Sequence, residues 1–147
     1  MIRKLLVATF LGAVLVLSGC ASVPMAGKDA DQQAKLFTPL PNLATVYIYR
    51  NENFGGAIKM PVLIDGVSVG DTGPKTYIRK TLPAGPHVIT SKTENDPAIN
   101  VDMHAGQTYF VWQEVKMGAF SARSALHLVD EQKGRAGVQQ CKLLQSP

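Results

Sequence analysis

Three histidines are the first candidates for chemistry, because an imidazole can bind a metal or act as a general base. His87, His104 and His127 are separated by 17 and 23 residues, whereas metal sites usually show close spacing of His and Cys. A sheet would let His87 and His104 share a metal ion, but hydrogen bonding within turns is the simpler role. For His87 we expect bonds to backbone carbonyls of the neighbouring proline turn. The sequence therefore predicts no metal site and no cofactor.

A second set of residues contains the side-chain types of a nucleophilic triad: Ser121, Ser124, His127 and Asp130. No G-x-S-x-G turn accompanies them, and no oxyanion donors can be assigned. The acidic pairs are simpler to explain as turn and helix-cap residues than as the acid and base of a glycosidase: Glu94 with Asp96, and Asp130 with Glu131. We therefore predict no catalytic residues and a protein that is not an enzyme.

Two further sets could form a binding surface. The basic set is Lys75, Arg79, Lys80 and Lys92, and the aromatic set is Tyr47, Tyr49, Tyr109 and Trp112. Adjacent residues of a strand point to opposite faces, so the basic set favours a solvated edge over contact with anionic lipids. Aromatic residues in strands are usually core or cross-strand pairs rather than the lining of a groove for a sugar or peptide. Arg50 either pairs with a carboxylate such as Asp65 or stays exposed.

The first 20 residues carry the strongest signal in the chain. Arg3 and Lys4 precede thirteen mostly apolar residues, 5–17, and small residues precede Cys20. A basic head, a short apolar stretch and small residues at the cut are typical of a secretory signal peptide. Thirteen residues rise only about 20 Å as a helix, which is too short for a hydrocarbon core of about 30 Å. We therefore predict a cleaved signal over residues 1–19.

The segment Leu17-Ser18-Gly19-Cys20 resembles the lipobox of bacterial lipoproteins. The resemblance implies cleavage between Gly19 and Cys20, and a diacylglyceryl group on the Cys20 sulfur. A thiol is required because its thiolate is the nucleophile that takes up the lipid. Two or three acyl chains then give a stable membrane anchor. The alternative is an ordinary signal peptide followed by a chance cysteine.

The residue after Cys20 indicates the membrane in which the protein resides. In the lipoproteins of enteric bacteria, Asp at that position retains the protein in the inner membrane, whereas this chain has Ala21. The resemblance therefore implies an outer-membrane protein that faces the periplasm. The net charge of +4 falls to +2 when Arg3 and Lys4 are removed with the signal, and so small an excess argues against a nucleic-acid partner.

The mature chain reads as a tether followed by one β domain. Residues 21–42 are rich in Ala, Pro, Asp and Gln and predict a flexible tether spanning about 25 Å, with a short helix from Asp29 to Phe37 as the alternative. From residue 43 onward, short strands are separated by turns such as Asp65-Gly66. This pattern predicts a mainly β fold, an antiparallel β-sandwich of about seven to eight strands. The predicted units are 1–19 (signal), 20–42 (lipidated Cys and tether) and 43–147 (sandwich).

Two strands should be central because they carry the most β-branched and aromatic residues, 44–49 and 108–115. A short C-terminal helix is predicted from Asp130, as N-cap, to Leu144. Gly134 and Gly137 should weaken this helix by about 1 kcal/mol each. If Cys20 is lipidated, Cys141 has no disulfide partner, and we expect it to be a buried structural residue.

Four segments occur in an order that resembles a known family: Lys35-Leu36-Phe37, Val46-Tyr47-Ile48-Tyr49-Arg50, Val62-Leu63-Ile64-Asp65-Gly66 and Leu82-Pro83-Ala84-Gly85-Pro86-His87. They are similar to an uncharacterised family of small bacterial lipoproteins that carry a domain of unknown function, over roughly residues 35–145. The Asp-Gly hairpin and the Pro-x-Gly-x-His turn also resemble PEGA-type and transthyretin-like β-sandwich modules. The family implies fold and location, with no established activity to carry over.

Together these patterns favour a non-catalytic, lipid-anchored β-sandwich that acts through contacts with an envelope protein or the cell wall. The first alternative is a binder of small ligands or glycans, which requires an apolar cavity between the sheets with a few convergent polar groups. The second is an envelope hydrolase, which requires a nucleophile and a base within hydrogen-bond reach. The expected partners are therefore the membrane, through the lipid on Cys20, and an envelope component.

Overall fold

The computed structural model describes residues 22–147, which form two helices and nine strands. The predicted signal peptide, residues 1–19, and the predicted lipidation site, Cys20, lie outside the described residues. None of the helices within 22–147 has the length and apolar character to cross a membrane. The elements in chain order are α1 Lys28–Ala34, β1 Ala44–Arg50, β2 Met60–Ile64, β3 Val67–Thr72, β4 Thr76–Leu82, β5 Gly85–Ser91, β6 Ala98–Met103, β7 Thr108–Lys116, β8 Arg123–Val129, α2 Glu131–Gln139 and β9 Lys142–Leu143.

The strands form two stacked sheets, with the orders β8-β7-β1-β4-β9 and β3-β2-β5-β6. The prediction of a mainly β fold with a short C-terminal helix is confirmed. Two pairings differ from an antiparallel sandwich, because β1 pairs with β7 and β4 pairs with β9 in parallel. The chain completes the whole second sheet between β1 and β7, so the returning strand arrives in the same direction as β1.

The apolar core lies between the two sheets. Alternate residues of β1, including Val46 and Ile48, point inward and are fully buried. They pack against inward side chains of the second sheet, such as Val62 and Ile89. Burying these apolar side chains is the main favourable term for folding.

A second apolar layer covers the outer face of the five-stranded sheet. Tyr47 and Tyr49, which alternate with the core residues of β1, are buried beneath α1 and α2. The Tyr47 ring stacks on Phe110 of β7, with ring centroids 5.3 Å apart. All seven residues of β1 are therefore buried, and its predicted central position is confirmed. β7 lies directly beside it, one strand in from the edge.

The segment predicted to be a flexible tether is packed over most of its described length. Residues 28–34 form α1, and Tyr47 donates a hydrogen bond of 2.6 Å to the Ala34 carbonyl. Residues 23–26, here called the strap, run antiparallel to the end of the chain. Met25 bridges to Leu144, and Ala26 N donates to the Leu143 carbonyl at 2.9 Å. The prediction missed this packing because edge pairing does not require strand alternation in the segment itself.

The eight strands from β1 to β8 alternate in direction, so their connections gather at two ends. Both β1 and β7 run toward one end, which carries the loops 51–59 and 117–122. We call residues 54–58 and 116–122 the tip. The opposite end carries the turns 65–66, 83–84 and 104–107, and we call these turns the base.

Candidate functional site

The tip is the described surface where large apolar side chains are most exposed. Phe120 is 99% exposed, Met117 81% and Phe54 54%. A groove of about 290 Å³ lies between them, with Ile58 and Val115 among its lining residues. Contiguous exposed apolar groups of this kind mark interaction sites in soluble proteins.

Arg50 holds the first loop of the tip. The side chain is fully buried at the end of β1 and donates hydrogen bonds to three backbone carbonyls, Phe54 at 3.1 Å, Gly55 at 2.7 Å and Ile58 at 2.7 Å. Burial lowers the pKa of Arg50, and the nearby Glu52 carboxylate partly offsets this effect. Arg50 therefore neither pairs with Asp65 nor stays exposed, the two roles that the sequence left open.

Glu94 holds the second loop of the tip in the complementary way. Its carboxylate accepts hydrogen bonds from the backbone N–H groups of Ala119 at 3.2 Å, Phe120 at 2.9 Å and Ser121 at 2.9 Å. These three bonds lower the pKa of Glu94, since they stabilise the charged form. The exposed Glu94 carboxylate thus pairs with three backbone N–H groups of this loop, and the side chains of Met117 and Phe120 are exposed.

These two supports produce a preorganised apolar surface. The charged groups beneath the tip are engaged with backbone, and Glu52 also accepts a bond of 3.0 Å from Val115 N. A loop that is already ordered loses less conformational entropy when it binds a partner. The geometry is therefore suited to binding.

His87 takes the role expected for it and adds a second contact. Its Nε2 lies 2.8 Å from the Pro83 carbonyl, and its Nδ1 lies 2.6 Å from the Asp65 carboxylate. The bond to Asp65 raises the pKa of His87, and the same bond lowers the pKa of Asp65. The sequence predicted the carbonyl contact, but the pairing with Asp65 depends on strands 22 residues apart. The cluster joins the turns of the base.

The residues of the suspected triad are not brought together. Ser124 is buried on the inner face of β8, where its hydroxyl lies 2.7 Å from the Ser91 hydroxyl. His127 lies on the outer face of the same strand and contacts Glu114 at 2.8 Å, while Asp130 caps α2 by accepting a bond from Lys133 N. Ser124 and His127 are three positions apart in the strand, and an odd difference places two strand residues on opposite faces.

The other sequence candidates are also engaged elsewhere or dispersed. His104 is exposed on a turn, 3.9 Å from Asp102, and within residues 22–147 no three His, Cys, Asp or Glu side chains converge as metal ligands would. Among the aromatic set, Tyr109 packs on the inner core and Trp112 on the outer layer, so the four do not line one groove. The space between the sheets holds the apolar core and a buried hydrogen-bonded group of Thr72, Ser91, Gln113 and Ser124. This packing disfavours the small-ligand alternative, which requires an apolar cavity there.

The cationic set is divided in the same way. Arg79 donates to the Tyr47 hydroxyl at 3.2 Å on the outer face, and Lys80 donates to the Ser146 hydroxyl at 2.6 Å. Both border an open groove of about 650 Å³ between α1, the strap and the chain end. Lys92 pairs with Asp96 in a turn of the other sheet, so the basic residues do not form one patch.

Comparison with known proteins places the chain in a family. A family model described as "Protein of unknown function (DUF2846)" matches residues 41–125. The chain belongs to the DUF2846 family. This DUF2846 protein is 34% identical over 133 residues to an uncharacterised protein of Haemophilus influenzae, across 89% of the chain and 79% of that relative. No solved structure matches it.

The match to a domain of unknown function confirms the coarser part of the resemblance seen in the sequence. It covers the strands from β1 to the start of β8 and both loops of the tip. The likeness to PEGA-type and transthyretin-like modules stays a prediction. Sequence reasoning missed the tip of this DUF2846 protein, although Met117-Gly118-Ala119-Phe120 is an apolar run inside a loop, where polar residues are usual.

Proposed function

We propose that this protein is an envelope lipoprotein, held in the outer membrane by lipid on Cys20, whose sandwich domain binds another protein in the periplasm through the tip. The observation that carries the binding function is the exposure of Phe120, Met117 and Phe54 on loops whose backbone is held by the buried Arg50 and the exposed Glu94. The lipobox at residues 17–20 supports the anchor. The partner supplies an apolar pocket for the aromatic side chains, as at other protein interfaces.

Lipidation is tested by replacing the proposed acceptor. We expect Cys20→Ser to abolish incorporation of labelled palmitate and to leave the uncut precursor at the inner membrane, because a hydroxyl does not replace the thiolate nucleophile. Cys141→Ser is the matched control and should retain the label, since Cys141 is buried and far along the chain. Labelling of Cys20→Ser at the parental level would remove the anchor from the proposal.

Binding through the tip is tested with a photo-crosslinking amino acid placed at position 120 in living cells. We expect a discrete protein adduct from position 120 and none from position 128, where Leu128 is 53% exposed on β8, away from the tip. Met117→Ser should weaken the adduct from position 120, and Leu128→Ser should leave it unchanged. Equal adducts from both positions, or an adduct insensitive to Met117→Ser, would contradict a binding site at the tip.

A further inference from the structure

The strap joins the first described residues firmly to the fold. Besides the Met25–Leu144 bridge, Gln145 N donates to the Pro24 carbonyl at 2.9 Å and Ala26 N donates to the Leu143 carbonyl at 2.9 Å. Val23 packs against the core between the sheets. The strap therefore extends the five-stranded sheet beyond β9, and the fold begins at Val23 rather than near residue 43.

This packing leaves very little chain between the proposed anchor and the domain. Only Ala21 and Ser22 separate Cys20 from Val23. Three residue steps span at most about 11 Å when fully extended, compared with the tether of about 25 Å that the composition predicted. A lipid on Cys20 would therefore hold the domain against the membrane surface.

The strand directions indicate which end of the domain lies nearer to the membrane surface. β9 is parallel to β4, which runs from the tip toward the base, and the strap is antiparallel to β9. Followed backward from Ala26 to Val23, the chain therefore runs toward the base. The nine residues of β7 alone measure about 30 Å along the strand, which separates the tip from the base.

The base has a surface that suits an interface with lipid headgroups. Next to its turns lie the apolar side chains of Val67, 67% exposed, and Leu43, 37% exposed, beside the exposed polar groups of Asp65, Asp102 and His104. The turns themselves are stabilised by the His87–Asp65 contact and by Tyr109, whose hydroxyl accepts a bond of 2.9 Å from His104 N. Such a surface can lie on a bilayer without the large apolar area that insertion requires.

We propose that the strap fixes the start of the fold so close to Cys20 that the base lies against the bilayer holding the Cys20 lipid and the tip points away from it. This inference rests on the proposed lipidation of Cys20. It deepens the proposed function, because a tip held about 30 Å from the bilayer meets a partner in the periplasm rather than the lipids of its own membrane.

The orientation is tested with the mature lipidated chain in vesicles of phosphatidylethanolamine and phosphatidylglycerol that contain lipids with a nitroxide headgroup. A fluorophore is attached to Val67→Cys at the base, Leu128→Cys at mid-height or Phe120→Cys at the tip. Cys141 stays in place, because burial raises the pKa of its thiol to about 12 and leaves it unreactive. We expect several-fold stronger quenching at position 67 than at position 120, with position 128 between them.

The second part of the test lengthens the link between Cys20 and the strap. A spacer of about 12 Gly and Ser residues between Ser22 and Val23 adds a mean span of about 20 Å and should greatly reduce quenching at position 67. The same spacer appended after Pro147 should leave quenching unchanged. Equal quenching at all three positions, strongest quenching at position 120, or no effect of the first spacer would overturn the seated orientation. Failure of the parent chain to float with the vesicles would instead overturn the lipid anchor.

Discussion

Two charged side chains of this domain, Arg50 and Glu94, act on backbone groups of the tip. Arg50 donates hydrogen bonds to three carbonyl oxygens of one tip loop, and Glu94 accepts hydrogen bonds from three N–H groups of the other. Hydrogen bonds that involve a charged group are about twice as strong as neutral ones. The role of Arg50 and Glu94 is therefore to shape the two loops of the tip.

The contact between His87 and Asp65 makes the stability of the base depend on pH. Because the pKa of His87 is raised above its ordinary 6.5, its contribution is complete below that pH and is lost as the pH rises through the raised value. Because the pKa of Asp65 is lowered from 3.8, its contribution is present above that pH and is lost as the pH falls through the lowered value. The pair therefore stabilises the fold most between the two ordinary values.

We expect Asp65→Asn to lower the urea midpoint more at about pH 5.5 than at an alkaline pH above the raised pKa of His87, where the contribution of the charged pair is lost. Asn is a suitable replacement because Asp65 has a positive φ of 51°, which Asn tolerates, and it can still accept the bond from Val88 N. Asp102→Asn, which changes an exposed carboxylate beside His104, is the control and should show little pH dependence. A loss in Asp65→Asn that is equal at both pH values would contradict the coupling.

At the scale of elements, the position of α2 depends on two glycines, Gly134 and Gly137, which have no side chain. A Cβ at Gly134 would overlap the ring of Phe110, and a Cβ at Gly137 would overlap the ring of Tyr49. The two glycines that weaken the isolated helix therefore allow it to lie directly on the aromatic face of the sheet. Helix propensity and packing oppose each other at these positions, and the fold retains the residue that packing requires.

This opposition predicts the sign of a substitution. Gly137→Ala should gain about 1 kcal/mol of helix propensity but cost about 1–3 kcal/mol through overpacking against Tyr49, so the free energy of unfolding should fall. Ala136→Gly, at an exposed position of the same helix, should lower it by about 0.5–1 kcal/mol through propensity alone. Urea titrations measure both changes, and a stabilised Gly137→Ala would show that the helix lies further from the sheet.

The elements that sequence analysis predicted are those with local signals. The alternation of Val46 and Ile48 with Tyr47 and Tyr49 identified β1, the Asp65-Gly66 turn identified a hairpin, and Asp130 marked the start of α2. The elements it missed depend on distant partners. β9 and the strap have no pattern of their own, and the extended helix to Leu144 was wrong because residues after Gln139 pair with β4 instead. The tip was missed because exposure is a property of the assembled fold.

At the scale of the molecule, stability rests on two apolar layers that share one sheet. Trp112 belongs to the outer layer, where its ring stacks on His127 at 4.9 Å and lies under Lys133. We expect Trp112→Ala to lower the free energy of unfolding by about 3 kcal/mol, the low end for a large aromatic residue, because the ring is only partly buried. Leu128→Ala, on an exposed site of the adjacent strand, should change it little in the same urea titration.

Because the stability of the domain rests on these apolar layers, we expect it not to depend on reductant. Cys141 is a free thiol that is 2% exposed, so no covalent link is present within residues 22–147. The urea midpoint should therefore be the same with and without dithiothreitol. A midpoint lowered by reductant would show that an intermolecular disulfide contributes to stability.

The pairing of the strap with residues 143–145 also imposes an order on biogenesis. A chain exported from its N-terminus releases the strap first and its pairing partner last, with more than 100 residues between them. Contacts between segments so distant in sequence form slowly, and the edge of β4 stays open until they do. With Cys20 lipidated as proposed, lipid transfer would precede this pairing, while the chain between Cys20 and the folded part of the domain is still long. Pairing of the strap and the chain end at the edge of β4 would then shorten the link to Cys20 and bring the folded domain against the membrane. Completion of the fold and contact with the membrane would therefore occur in the same step.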